Sequence, residues 1–321
     1  MSKIPGYNLE QDGVTQSLLL CFMRCKRLCE FYMQGWQPLR LSGPIEFGSI
    51  THQVLAEVYG RLRGPKPKAV TPKHIKAILG SALSEREQAA ERAGAKELER
   101  LELQAAQLEV VLPAYFDFWR EDFSKTQWVD LETNFRLQHT SYKHFWLNGK
   151  IDGVLRRSKG KKESLWLLET KTRGQVVEDS LVDQLVMDFQ SHFYALAIWK
   201  MTHRVPRGVL YNIIRRPGLK QGQRESLPQY KERLTEDIAG RPEHYFKRFE
   251  LAMEERDLVA FEQDLNYILR EFEAWLAEKE QSPRNVTACF GRGVCQFVPA
   301  CISGNLQGFI QRPSLFQELR E

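Results

Sequence analysis

Apolar positions along this chain switch between two periods. Leu18, Leu19, Phe22 and Leu28 recur at helical spacing and predict one helix over residues 15–35, with Ser17, Leu20, Arg27 and Phe31 stepping along it. Cys21, Cys25 and Cys29 stand four apart in that stretch, which would put them on a single face. Pro38 and Pro44 interrupt the pattern, and Phe47, Ile50, Val54, Val58 and Leu62 predict a second helix from Ile45 to Leu62. Three prolines and two lysines make 64–72 a loop. From Pro72 to Asp122 the chain reads as helix, with Leu98, Leu101, Ala105, Leu108, Leu112, Tyr115 and Trp119 on one side and a kink expected at Pro113. Alternation takes over at Gln127, where Val129, Leu131, Thr133, Phe135 and Leu137 predict a half-buried strand. Trp146 to Val154 and Ser164 to Thr170 read as two more strands, joined through the turn Lys159-Gly160-Lys161-Lys162. Helix returns at 180–202, a fourth strand follows from Val209 to Ile214, and a polar loop spans 215–228. Helices at 229–238 and 257–280 complete the set, the second burying Leu258, Phe261, Leu265, Leu269, Phe272 and Leu276.

Three consecutive strands on short turns make an antiparallel meander, and the helix at 180–202 crosses over to a strand parallel to its neighbour. The fold expected is therefore α/β, a mixed central sheet flanked by helices. It forms a single domain over 1–321, with a helical insertion at 65–122 and a cysteine-bearing segment at 282–321 that packs back on the N-terminal helix. A hydrophobic content of 42% and a charged content of 27% are ordinary for such a domain. No run is long enough to span a bilayer, and the opening Met1 to Gly6 lacks the layout of a secretory signal, so the expected location is intracellular and cytoplasmic. The net charge of +5 is compatible with a polyanionic partner.

The candidate chemistry lies at the ends of the second and third strands. Asp152 closes one apolar run and Glu169-Thr170-Lys171 closes the next. Two carboxylates and the Thr170 carbonyl supply the hard oxygen ligands that magnesium prefers. Lys171, two residues after Glu169 and so on the same strand face, can orient a water or offset charge in a transition state. A plain surface hairpin with a Glu–Lys pair would show the same residues. Yet a carboxylate at the end of a core strand is costly unless something compensates it.

The two segments, Gly149-Lys150-Ile151-Asp152 and Leu167-Leu168-Glu169-Thr170-Lys171-Thr172, resemble the PD-(D/E)XK nuclease superfamily. More narrowly they are similar to its RecB-type branch, which includes the RecB and AddB nuclease domains, CRISPR-associated RecB-like exonucleases and phage relatives. The resemblance implies a restriction-endonuclease-like core. Phe47-Gly48 followed by His52 resembles the first motif of that branch and implies that His52 is a metal ligand. Gln190 and Tyr194 resemble its Gln-x-x-x-Tyr motif and are implied to line the DNA path, although both would also pass for ordinary helix residues.

Six cysteines fall in two clusters, and in a reducing compartment such clustering favours metal or iron–sulfur ligation over disulfides. The resemblance implies a 4Fe–4S cluster held by Cys25, Cys289, Cys295 and Cys301, with zinc as the alternative and Cys21 and Cys29 open as substitutes for Cys25. Lys26 stands where the branch has proline, and five residues separate Cys295 from Cys301 where it has two. Buried structural thiols are the plainer reading.

Lys150, Arg156, Arg157, Lys159, Lys161 and Lys162 surround the hairpin, and Arg204, Arg207, Arg215, Arg216, Lys220 and Arg224 flank the fourth strand. They could neutralise phosphates or serve only solubility. Taken with the resemblance, the expectation is a Mg2+- or Mn2+-dependent deoxyribonuclease, an exonuclease on single-stranded DNA or DNA ends, in repair, recombination or phage DNA processing. A bacterial or phage setting is implied. With no phosphate loop of its own, unwinding would fall to a helicase or recombination partner. The alternative is a non-catalytic nucleic-acid-binding or scaffold subunit on the same fold.

Overall fold

In the computed structural model, residues 3–38, 43–64, 68–159, 162–175, 178–291, 294–312 and 315–316 are described. After α1 (Leu9–Asp12) and β1 (Val14–Thr15), the Thr15 hydroxyl accepts the Leu18 N–H and starts α2 (Gln16–Arg24). The single helix expected over 15–35 is two. Cys25 is extended, with φ −166° and ψ 116°, and α3 (Lys26–Met33) begins beyond it. The break is held from the other end of the chain. Asn285 donates its side-chain amide to the Arg24 carbonyl at 2.8 Å and its backbone N–H to Cys25 Sγ at 3.4 Å, satisfying groups that a helix end leaves open. Next come β2 (Trp36–Pro38) and α4 (Gly43–Gly60).

A capping box between Thr71 and His74 starts α5 (Pro72–Ala93). The long helical stretch then breaks at Gly94, where φ is 104°, and α6 (Ala95–Phe118) runs on through Pro113. The sequence reading expected one helix kinked at Pro113 and no break at Gly94, where the φ is one that only a glycine takes without strain. After α7 (Asp122–Lys125) come β3 (Gln127–Gln138), β4 (Trp146–Lys159) and β5 (Lys162–Arg173). The helix expected over 180–202 is also two, α8 (Glu178–Val186) and α9 (Phe189–Thr202). Asp188 starts the second by accepting the Ser191 N–H at 3.1 Å. The remainder is β6 (Gly208–Arg215), α10 (Leu227–Gly240), α11 (Pro242–Tyr245), β7 (Phe246–Ala252), α12 (Glu255–Ala277), α13 (Val286–Phe290), α14 (Val298–Ser303) and β8 (Phe309–Gln311). The turn residues 160–161 and residues 65–67 of the proline-rich loop lie outside the described residues.

Six strands form a mixed sheet in the order β1-β4-β5-β6-β7, with β3 paired to β4. β3, β4 and β5 are the antiparallel meander, β5 and β6 run parallel, and β7 closes the edge antiparallel to β6. The sequence reading missed β7, because an edge strand with Lys247, Arg248 and Glu250 carries charge where a central strand carries apolar residues. Neighbouring residues on the central strands feed two separate cores. Val154, Leu167 and Val209 join Leu18, Phe193, Leu265 and Phe272 on one face. Leu155, Leu168 and Leu210 join Phe47, Ile50, Leu108 and Leu234 on the other. Both faces are covered by helices, which explains why β5 reads as a nearly continuous apolar run. Among the described residues, no helix is long and apolar enough to cross a membrane.

Candidate active site

The sheet forks at the site. Pairing between β4 and β5 ends at Gly153 opposite Leu168. Toward its start β4 stays with β3, while β5 continues along β6 to Arg173. The first residues past the fork are Asp152 and Glu169. Parting strands leave backbone donors open, and Asp152 Oδ2 takes one of them, the Thr170 N–H, at 2.8 Å. Glu169 is 1% exposed. Its Oε1 lies 2.7 Å from Lys171 Nζ, and its Oε2 has no partner among the described residues. Lys171 Nζ also donates to Gln190 Oε1 at 2.7 Å, from the first turn of α9.

α4 brings the imidazole. Gly48 lies where a Cβ would stand 2.9 Å from Thr172 Oγ1, so its lack of a side chain lets the helix pass β5 closely at this point. One turn later His52 Nδ1 reaches Asp152 Oδ1 at 3.5 Å and Glu132 Oε1 at 3.8 Å. One ligand atom each from His52, Glu132 and Asp152 lie within 4.8 Å of one another. Glu132 escaped the sequence reading. Its place depends on strand register: Leu131 pairs with Gly153 and Thr133 with Ile151, which sets Glu132 beside Asp152. Its backbone is left-handed, with φ 45°, just after an irregularity between Trp128 and Asp130.

Electrostatics follow from this crowding. Burial, then the Asp152 charge, pushes the Glu169 carboxyl up to about 8 against the pull of Lys171. Burial draws the His52 imidazole down, but Asp152 and Glu132 outweigh it and push it up to about 10. Burial likewise opposes the Lys171 charge, and Glu169 and Asp188 more than offset it, so the ammonium is held above its ordinary value.

A family model described as the PD-(D/E)XK nuclease superfamily matches residues 14–302. The chain belongs to the PD-(D/E)XK nuclease superfamily. No curated protein matches the sequence significantly. Among solved structures, it is similar to a Eubacterium rectale protein described as a "Putative exonuclease", with 10% identity, 91% of this chain and 93% of that chain covered, and a TM-score of 0.47. Nucleases of this superfamily use divalent metals, and this PD-(D/E)XK chain is a metal-dependent nuclease with a His/Glu/Asp group suited to such an ion. The donor set fits: carboxylate oxygens and one imidazole, with a buried carboxylate oxygen at Glu169 left unsatisfied.

The structure thus brings Asp152 to His52 and to the Thr170 N–H, and links Glu169, Lys171 and Gln190 in a chain beside them. Among the described residues Glu132, not Glu169, shares the group of ligand atoms within 4.8 Å of one another with His52 and Asp152. Tyr194 lies beside them but is buried, edge-on to Phe135 at 5.9 Å, over Gly149, where a Cβ would meet both rings. Several of the basic residues around the hairpin are engaged. Lys150 pairs with Glu132 at 2.6 Å and Arg157 with Glu250 at 2.7 Å. The side chains of Lys159, Lys161 and Lys162 lie outside the described residues. The N-terminal cysteines divide. Cys29 is fully buried and its thiol, lifted by burial, hydrogen-bonds Cys21. Cys25, set apart by the helix break, faces the C-terminal group: burial, then Cys295, Cys25 and Cys289, lift the Cys301 thiol.

Proposed function

We propose that this chain is a RecB-type deoxyribonuclease that uses Mg2+ or Mn2+ to hydrolyse DNA, acting as an exonuclease on single strands or DNA ends in repair, recombination or phage DNA processing. The observation that carries the reading is the fork, where Asp152, Glu169 and Lys171 converge with His52 across the parting strands. In this reading His52, Asp152, Glu169 and the Thr170 carbonyl hold the ion. When bound, it supplies Lewis-acid polarisation of a phosphate oxygen and acidifies a water. Asp152 fixes the backbone at Thr170 through its N–H, so the carbonyl beyond it is held in place. Lys171 is held by Glu169 and Gln190, and the third donor of its ammonium can meet an attacking water or a phosphate oxygen. Gln190 acts by aiming Lys171. Tyr194 backs the site, and it and Gln190 are the residues that would line the DNA path.

Cys25, Cys289, Cys295 and Cys301 are the set that would hold a 4Fe–4S cluster, and Cys301 in the electrostatic reach of the other three supports that choice over Cys21 or Cys29. Such a cluster would pin the two ends of the chain together without entering the hydrolysis. Freshly purified protein is expected to be brown and to carry iron; zinc in its place would identify the alternative. The reading as a whole is tested by Mn2+-dependent digestion of an end-labelled oligonucleotide. Asp152→Ala is expected to lower the rate by at least ~100-fold. Equal digestion by both proteins would end the proposal.

A further inference from the structure

Each carboxylate in the site has one oxygen tied and the other offered. Asp152 ties Oδ2 to the Thr170 N–H and turns Oδ1 toward His52. Glu169 ties Oε1 to Lys171 and leaves Oε2 buried without a partner. Glu132, which has no place in the motifs above, follows the same rule. Its Oε2 is tied to Lys150 Nζ at 2.6 Å, and its Oε1 points to His52 at 3.8 Å. A donor on one oxygen fixes the orientation of the other, as partners behind metal ligands do.

The backbone supports the same assignment. Cross-strand neighbours in an antiparallel pair share a face, so the register that places Glu132 beside Asp152 puts both carboxylates on one side of the hairpin. Glu132 holds this position with φ 45° inside a strand, a conformation that a non-glycine residue adopts at some strain. A simple surface ion pair with Lys150 would need neither that conformation nor the approach of His52.

We propose that Glu132 is an additional protein ligand on the divalent-cation site, with Lys150 as its positioning residue. The cation would be shared by Glu132, His52 and Asp152, at the end of the site opposite Lys171. This inference rests on the reading that His52 and Asp152 hold the metal, and the experiment separates the two.

Mn2+ binding is measured by calorimetry, without DNA, on the wild-type chain, Glu132→Gln, Glu132→Gly and Asp152→Asn, together with the electron paramagnetic resonance of the bound Mn2+. Glutamine keeps the shape of the side chain. Glycine adopts the left-handed backbone freely and so guards against a failure to fold, which melting of the metal-free variants checks. Both Glu132 variants are expected to bind Mn2+ about 10- to 100-fold more weakly, with an altered Mn2+ spectrum. If both match wild type in affinity and spectrum while Asp152→Asn binds weakly, Glu132 is only an ion-pair partner and the inference is overturned, with the metal site intact. If wild type itself fails to bind Mn2+, both readings fall together.

Discussion

Loading the site with a divalent ion should expel protons, and the number follows from the geometry. Glu169, pushed up to about 8 by burial and the Asp152 charge, is largely neutral near neutral pH in the metal-free protein. His52, pushed up to about 10 by Asp152 and Glu132, is almost wholly imidazolium. An imidazolium has no lone pair to offer and a neutral carboxyl is a far weaker donor than a carboxylate, so both groups would lose their protons on binding. With these values, roughly 0.9 proton leaves Glu169 and roughly one leaves His52 at about pH 7, so close to two protons are released per ion. The assay is calorimetry of Mn2+ binding in buffers of different ionisation enthalpy, where the slope of apparent enthalpy against buffer enthalpy counts protons. A slope of about two is expected, falling to about one in His52→Ala and in Glu169→Gln. The apparent affinity should rise on the order of 100-fold per pH unit below about pH 8 and more slowly above it. A buffer-independent enthalpy in the wild-type chain would refute the reasoning, because it would mean that the ligands are already deprotonated or lie elsewhere.

Two further outcomes follow from the same geometry. Gly48→Ala sets a Cβ 2.9 Å from Thr172 Oγ1 and pushes α4 off β5, so His52 moves from the site. Mn2+ affinity should drop about 10-fold, and the second substitution Thr172→Ala should restore most of it, whereas no rescue would show that the helix is placed by other contacts. Melting of the metal-free protein should depend on pH with a defined sign. Glu169 is raised from 4.5 to about 8 and His52 from 6.5 to about 10, so each contributes stability that is present below its unfolded value and lost as pH rises through its folded one. Melting temperature should therefore fall from about pH 7 to about pH 9 without metal and hold steady with saturating Mg2+; a metal-free protein that gains stability over that range would contradict both assignments.

The motif residues of the site were legible in the sequence, but their expected place at strand ends was not right, and the parts set by register were not legible. β4 runs from Trp146 to Lys159 and β5 from Lys162 to Arg173, so Asp152 and Glu169 lie inside the strands, where the β4–β5 pairing stops. Asp152 and Glu169 each stop an apolar run, and the i, i+2 spacing of Glu169 and Lys171 survives any detail of pairing. The two-faced burial of β5 and its parallel neighbour β6 likewise follow from apolar content and the intervening helices. Glu132 was hidden because an irregularity near Trp128 shifts β3 and a left-handed residue redirects it, neither of which has a composition cue. The helix break at Cys25 was hidden for another reason. Its stabilising partner is Asn285, and no local window contains both residues. Gly94 and Asp188 carried readable signals for a break and a cap, but the apolar periodicity running past each of them dominated the reading.

The fork explains how a fold can keep three carboxylates close together before any metal arrives. In the metal-free site near neutral pH Glu169 is mostly neutral and His52 is imidazolium, while Lys150 pairs with Glu132 and Lys171 with Glu169. If Glu169 and His52 were to hold a divalent ion, the two protons they gave up would match its two charges, and the net charge of the site would stay the same. The protons act as placeholders for the cation. This removes the like-charge repulsion that would otherwise push Asp152 and Glu169 apart in a buried setting, where Coulomb terms are large. The ties sit on the other oxygens: the Thr170 N–H on Asp152, Lys150 on Glu132 and Lys171 on Glu169. An ion held by these residues would replace protons on oxygens and a nitrogen already oriented, in part by the Asp152–Thr170 hydrogen bond that bridges the split in the sheet.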